Sequence, residues 1–315
     1  MTEQDQNLSH LLSSSVPKGP KVGSVLDQSQ LIYGVWRFLA DPIKGDRMKI
    51  RRLIDTCLDH GIVTFDHADI YGGYQCEELF GEAAHGISRS RYKIITKCGI
   101  KLVNANRPLH KLKSYDTSAQ HLTASVEQSL RNLKTDVIDV LLIHRPDPLM
   151  DAAEVAHQFC LLAQSGKVKS FGVSNFRPHQ MRLLQSYLPF PLVTNQIEFS
   201  LLQHSPLTDG TLDHAQECGY RPTIWSPLAG GRLFTEDTPS IHKIRSALKI
   251  LAESHGQDPE AICLAWLMKH PSRPIPVLGT LSDQRLRTMA KATQVDLSRE
   301  DWFYLYEAAL GHPVP

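Results

Sequence analysis

Short apolar runs alternate with helically spaced segments about eight times along the chain, and this alternation limits the architecture more than any other feature. Runs with strand character fall at 63–66, 92–97, 139–144, 168–174, 192–196, 223–226 and 275–277. Segments with helical spacing fall at 48–60, 77–85, 118–133, 151–164, 178–187, 212–218, 241–255, 259–269 and 282–293. A strand, then a helix, then a strand is the connection that parallel pairing requires, because a tight hairpin can join only antiparallel neighbours. The 92–97 run is almost continuously apolar, as for a strand covered on both faces. Two parallel architectures compete. An open doubly wound sheet favours G-x-G-x-x-G after its first strand to hold a pyrophosphate, and the chain has neither that motif nor G-x-x-x-x-G-K-[ST]. The closed (β/α)8 TIM barrel is therefore the expected fold. At 315 residues the length suits one such unit, and the interior has no internal repeat or Pro/Ser-rich linker. We expect one domain over 21–315 after a flexible, serine-rich tail over 1–20. Residues 21–25 and 31–36 flank Asp27-Gln28-Ser29-Gln30 and predict an N-terminal β-hairpin plugging the barrel before its first strand.

Composition removes several classes of function. A formal net charge of +1 gives no field that would gather nucleic acid or an anionic membrane surface. No stretch approaches the ~20 apolar residues of a membrane-spanning helix. The N-terminus carries Glu3 and Asp5 and lacks an apolar secretory segment, so a cytoplasmic location is expected. The six cysteines are widely spaced without a C-x-x-C pair, which reads as reduced thiols. Fifteen histidines occur without H-E-x-x-H spacing, and no metal is expected.

Chemistry gathers at the predicted strand ends. The stretch VTFDHADIYGG ends a strand at Asp66 and places Tyr71 in a glycine-flanked loop, YKIITK ends in Lys97, and DVLLIH ends in His144. In a parallel barrel these positions share the catalytic face. A lysine cation beside a phenol favours the phenolate and so makes the tyrosine a better acid. A buried ammonium needs a carboxylate partner, which Asp66 could be, and a neutral histidine still carries one ring N–H to orient a substrate oxygen. Taken singly, each residue has a duller reading: a rim aromatic, a structural ion pair, a satisfied strand-end histidine. Four of them at one end of neighbouring strands favour a site.

The motifs FDHADIYGG, ITKCG, LIHRPD, FGVSNF, TNQIEFS, WSPLAGGRL and IPVLGT, in this order over residues 22–310, resemble the aldo-keto reductase family, in particular its bacterial, monomeric, NADP-dependent type. The resemblance implies reduction of aldehydes or ketones to alcohols by hydride transfer from a nicotinamide cofactor. Asp66, Tyr71, Lys97 and His144 would be the catalytic set, with Tyr71 as general acid. It implies that Gly34 and Val35 bind the cofactor, that Ser174, Asn175 and Gln196 hydrogen-bond the nicotinamide carboxamide, and that Trp225, where tyrosine is common, stacks on the ring. Ser226, Leu228, Gly230 and Arg232 would run over the pyrophosphate. Thr280, Ser282 and Arg285 would meet the adenosine 2′-phosphate, and Trp36 would wall the substrate pocket. One departure is Gly279, where many relatives have lysine; Arg285 remains, so NADP(H) is favoured over NAD(H). His67 stands where threonine is usual, and by strand alternation it and Cys98 should face away from the site. The 99–116 segment, with Lys101, Arg107, His110, Lys111 and Lys113, is expected to be a solvated polar loop.

The resemblance thus points to a small-molecule carbonyl substrate and a monomer or weak homo-oligomer. Two other readings stay open at this stage: an NADP(H)-binding sensor or regulatory subunit with little turnover, and a barrel isomerase or aldolase using Lys97 as a Schiff-base amine. Asp66 argues against the latter, because a carboxylate keeps that amine protonated.

Overall fold

Alternating side chains on each strand must satisfy two apolar environments, the barrel interior and the surrounding helices, and the strands here meet both demands. The computed structural model describes Leu26 and residues 29–315. Its barrel strands are β1 (Ile32–Gly34), β2 (Thr64–Asp66), β3 (Lys93–Cys98), β6 (Ile138–Ile143), β7 (Val168–Ser174), β8 (Asn195–Glu198), β9 (Thr223–Trp225) and β10 (Ile275–Leu278). They pair in parallel in the closed order β1-β10-β9-β8-β7-β6-β3-β2. The chain is a (β/α)8 barrel.

The register brings the chemistry to one mouth. Gly34 lies opposite Asp66, Lys97 opposite Leu142, Ser174 opposite Gln196 and Glu198 opposite Trp225. Beneath these residues Ile32, Ile95, Val140, Leu142, Val193, Ile275 and Val277 form one apolar cluster with Leu26. Lys97 has the strand parity of Ile95, so it continues that inward column. Tyr33, Phe65 and Ile94, of opposite parity, pack with the helices in a second cluster. At the other end of the barrel, Arg221 donates to the carbonyl oxygens of Leu26 and Ser29, and Ser29 Oγ meets Thr64 Oγ1 at 2.6 Å.

Helices α1 (Arg47–Asp59), α2 (Cys76–Ala83), α3 (Ala119–Leu133), α4 (Ala152–Gln164), α5 (Pro178–Gln185) and α6 (Thr211–Cys218) follow successive strands. Beyond β9 come α7 (Arg232–Thr235), α8 (Pro239–His255) and α9 (Pro259–Met268), and beyond β10 come α10 (Asp283–Ala290) and α11 (Arg299–Leu310). Asp46, Ser118, Asp151, Thr238, Ser282 and Ser298 each accept a first-turn backbone N–H through the side chain.

Three expectations need correction. The 31–36 arm of the predicted hairpin is β1 itself, paired in parallel with β10 and β2, while the other arm, like the 1–20 tail, lies outside the described residues. The 99–116 loop is not wholly irregular: β4 (Ile100–Lys101) and β5 (Ser114–Tyr115) form a small antiparallel ribbon in it. The 282–293 segment is not the last helix. In α11 the sequence S-R-E-D closes a capping box between Ser298 and Asp301. That helix docks through Trp302, which stacks on Trp266 at 5.0 Å between ring centroids while each indole N–H donates to the other residue's carbonyl at 3.0 Å.

Helix α2 approaches the end of α3 so closely that a Cβ on Gly81 would lie 2.2 Å from the carbonyl oxygen of Asn132. Alanine is the better helix former by about 1 kcal/mol, but overpacking against backbone outweighs that. We expect Gly81→Ala to lose ~1–3 kcal/mol in urea-induced unfolding; an unchanged or raised midpoint would contradict this packing.

Candidate active site

A cleft of about 990 Å³ opens at the mouth formed by the strand C-termini. Its floor holds Asp66, Tyr71 and His144; Trp36 and Trp225 are on its walls. Lys97 lies behind the floor, fully buried. Its Nζ donates to Asp66 Oδ1 and Oδ2 at 2.8 and 2.7 Å, to the His67 carbonyl at 2.8 Å and to Tyr71 Oη at 2.9 Å. An ammonium has three hydrogens and no lone pair. The phenol oxygen must therefore accept from Lys97, which leaves the Tyr71 O–H free to donate elsewhere. Asp66 Oδ1 also accepts from Gln196 Nε2 at 2.8 Å, so both carboxylate oxygens are engaged.

Burial opposes the charge of Lys97, but the Asp66 carboxylate and Tyr71 outweigh it and hold the amine's pKa above its ordinary value. The outcome for Tyr71 differs from the sequence expectation. Burial is the largest influence and pushes the phenol up; Lys97 pulls it down, Asp66 pushes it up again, and the net direction is upward. The resting phenol keeps its proton through neutral pH. His144 stands edge-on to Tyr71, with ring centroids 5.9 Å apart. Burial, then the Lys97 and Arg145 cations, drive its pKa well below the ordinary histidine value, so it is neutral.

Most of the other sequence-predicted residues converge on this cleft. Gly34, Ser174, Asn175, Gln196, Trp225, Ser226, Leu228, Gly230, Thr280, Ser282 and Arg285 line it with Trp36. Val35 does not: its side chain is fully buried in the core, while its N–H donates to the Asp66 carbonyl. Arg232 does not either, being exposed and bound to Glu236 along its own helix. Trp225 gains a bond that tyrosine could not make in the same way, its indole N–H donating to Asn175 Oδ1 at 2.9 Å. The Asn175 amide nitrogen then points to Ser174 Oγ at 2.8 Å. Two arginines at the cleft escaped the sequence reading. Arg37 donates to the carbonyls of Gly279 and Gly230, tying two loops together, and Arg145 lies over the Trp225 ring. Their adjacency to Trp36 and His144 was the available signal. Gly279 has open space where a side chain would project.

His67 and Cys98 face the helical layer. The His67 ring lies against Phe80 of α2 at 4.5 Å, and Cys98 packs with Leu122 and Val126 of α3. Among the described residues, His214, Glu217 and Cys218 of α6 bring three metal-ligand types within 4.8 Å of one another, and none lines the cleft. No described helix is long and apolar enough to cross a membrane.

An interlocked carboxylate, lysine and tyrosine thus stand at the C-terminal mouth of a parallel barrel, below an aromatic-walled cleft. The family model for the aldo/keto reductase family matches residues 30–309, and the chain belongs to that family. It is 46% identical to the Bacillus subtilis oxidoreductase YcsN over 92% of this chain and 97% of that protein. It is 44% identical to 6-dehydroglucose reductase of Agrobacterium fabrum, again over 92% of this chain and 97% of that one. The crystal structure of the thermostable aldo-keto reductase Tm1743 is similar with a TM-score of 0.74 at 28% identity, covering 89% of this chain and 94% of that one.

The buried His67 makes a prediction about stability. Neither ring nitrogen finds a hydrogen-bond partner among the described residues, and burial, then Lys97 and Arg89, hold its pKa well below 6.5. Below about pH 6.5 the unfolded chain takes a proton there that the native state refuses, so stability falls as pH falls, by up to ~1.4 kcal/mol per pH unit. Above that pH the residue has no such effect. Unfolding of His67→Leu, followed from pH 8 to 5, should show a slope shallower by about one proton; parallel profiles for the two proteins would rule this out.

Proposed function

We propose that this oxidoreductase reduces aldehydes and ketones to alcohols with NADPH, and that Tyr71 is the general acid. The observation that carries the proposal is the Lys97 Nζ–Tyr71 Oη hydrogen bond of 2.9 Å, donated by the lysine, beneath an open cleft. The cleft residues suit a dinucleotide. Asn175 and Gln196 offer amides at one end, Trp225 offers a flat face, and Arg285 with Thr280 and Ser282 offers charge and hydroxyls beside the first turn of α10. At Gly230, Gly231 and Gly279 no atom lies within 4 Å of the place a Cβ would occupy, so backbone can be approached closely there.

When bound, the reduced nicotinamide supplies a hydride to the carbonyl carbon. Tyr71 then passes its free proton to the oxygen on which charge develops, and Lys97 stabilises the phenolate left behind. Asp66 keeps the lysine charged. Neutral His144 directs the substrate oxygen toward Tyr71 without placing a second cation in the pocket. Oxidised sugars fall within this substrate class, as the name of the Agrobacterium relative indicates for that protein.

Tyr71→Phe removes the transferable proton and leaves the aromatic ring. Its turnover of simple aldehydes, followed by the absorbance of the reduced nicotinamide, should fall by at least ~10²-fold, with NADPH affinity within a few-fold; retained turnover would remove Tyr71 from its role. For the cofactor, Arg285→Ala should raise the KM for NADPH at least ~10-fold, the scale of a lost charged hydrogen bond, while moving the KM for NADH little. Equal effects on the two cofactors would remove the 2′-phosphate contact.

A further inference from the structure

Arg145 directly follows His144 where β6 enters the cleft, and its side chain lines that cleft, only partly exposed. Among the described residues its guanidinium makes no hydrogen bond and no ion pair; its only directional contact is with the Trp225 ring, 5.6 Å from the centroid. The other arginines of the mouth differ. Arg37 spends its donors on two loop carbonyls, Arg232 is bound to Glu236, and Arg285 faces Glu260 at 3.6 Å. The carboxylate whose charge Arg145 feels is Glu198, opposite Trp225 on β8, and the two do not form an ion pair. A guanidinium holds five N–H donors in a rigid fork. Stacking on an indole orients that fork and leaves its donors to water or a ligand, and a half-buried cation that loses that water must gain an oxygen partner in its place.

We propose that Arg145 is a specificity-determining residue for substrates with oxygen acceptors, hydroxyl or carboxylate, on the carbons flanking the reacting carbonyl. This rests on the reductase reading above, which puts the carbonyl oxygen between Tyr71 and His144. A substituent next to that carbonyl then meets the residue that follows His144. An unsubstituted alkyl aldehyde gives the fork nothing to bind and displaces water from it; an oxygenated one replaces that water with one or two charge-assisted hydrogen bonds.

The test compares kcat/KM with NADPH for two matched pairs: D-glyceraldehyde against propanal, and glyoxylate against acetaldehyde. The hydroxyl arm and the carboxylate arm separate the two sources of acceptor oxygen. The wild-type protein should prefer the oxygenated member of at least one pair by about 10- to 100-fold, the scale of one charged hydrogen bond. Arg145→Gln should lower that ratio by a similar factor, mostly through KM, and Arg145→Lys should recover only part of it, because an ammonium cannot present a planar fork. Preference in the first pair assigns a hydroxylated substrate class, and preference in the second an anionic one. Ratios near one in both pairs, or ratios that Arg145→Gln leaves unchanged, would overturn the role of Arg145 while the reductase reading stands. Absence of turnover with all four aldehydes would overturn both.

Discussion

A fully buried ammonium is the constraint on which the rest of this barrel's mouth depends. Lys97 has no contact with water, so its charge must be met entirely by Asp66, the His67 carbonyl and Tyr71. Stripping one partner from a buried pair costs ~3–5 kcal/mol, because the survivor is left uncompensated. The cluster is thus a fold determinant as well as the proposed chemical device. It fixes the end of β2 against β3, and Gln196, reaching Asp66 from β8 on the far side of the barrel, spans the mouth. That arrangement accounts for a charge resting on an otherwise apolar barrel interior.

Around this group, strand ends and loops are tied to one another across the mouth. Tyr33 donates from β1 to the Thr280 carbonyl, Arg37 bridges Gly279 and Gly230, and Trp225 holds Asn175. Asn175, and Ser226 and Ala229 beside the tied Trp225 and Gly230, have unusual backbone, with positive φ of 61°, 50° and 52°. Such conformations persist when neighbours over-determine them. Asn175 is bonded on both sides of its amide, and so its orientation at the cleft is set by the protein before any ligand arrives.

The barrel was legible because its β-then-α alternation is a periodic signal carried by many residues, and the gathering of Asp66, Lys97 and His144 at one mouth, with Tyr71 in the loop after Asp66, was legible because strand ends in a parallel barrel have a known destination. The failures share a different cause. The 31–36 run carries no mark of partner direction, so hairpin arm and first barrel strand look alike until β10 closes beside it. Helix α11 follows a run of weakly patterned polar residues, and its docking depends on Trp302 meeting Trp266, a contact 36 positions apart. Val35 and Arg232 have side chains turned away from the cleft, and sequence position alone cannot report where a side chain points. Arg37 and Arg145 were passed over because an arginine beside a known motif looks like a solvated charge. Only the carbonyls around Arg37, and the want of an oxygen partner for Arg145 among the described residues, distinguish them.

The directions of the pKa shifts refine the chemical reading. A lysine beside a tyrosine invites the expectation of an acidified phenol, yet the burial that makes Lys97 and Asp66 grip one another also raises Tyr71, and Asp66 adds to the rise. The two effects act at different moments. At rest the phenol holds its proton, as a donor in a reduction must. On the proposed reading, when negative charge appears on a substrate oxygen beside it, the proton would move toward that oxygen and Lys97, already at 2.9 Å, would meet a phenolate with no change in its own bonding. His144, kept neutral by burial and by the Lys97 and Arg145 cations, adds a dipole and no competing charge. On the proposed reading the site therefore works through the difference between a neutral and a charged phenol next to a fixed cation, and a low resting pKa is not required for it.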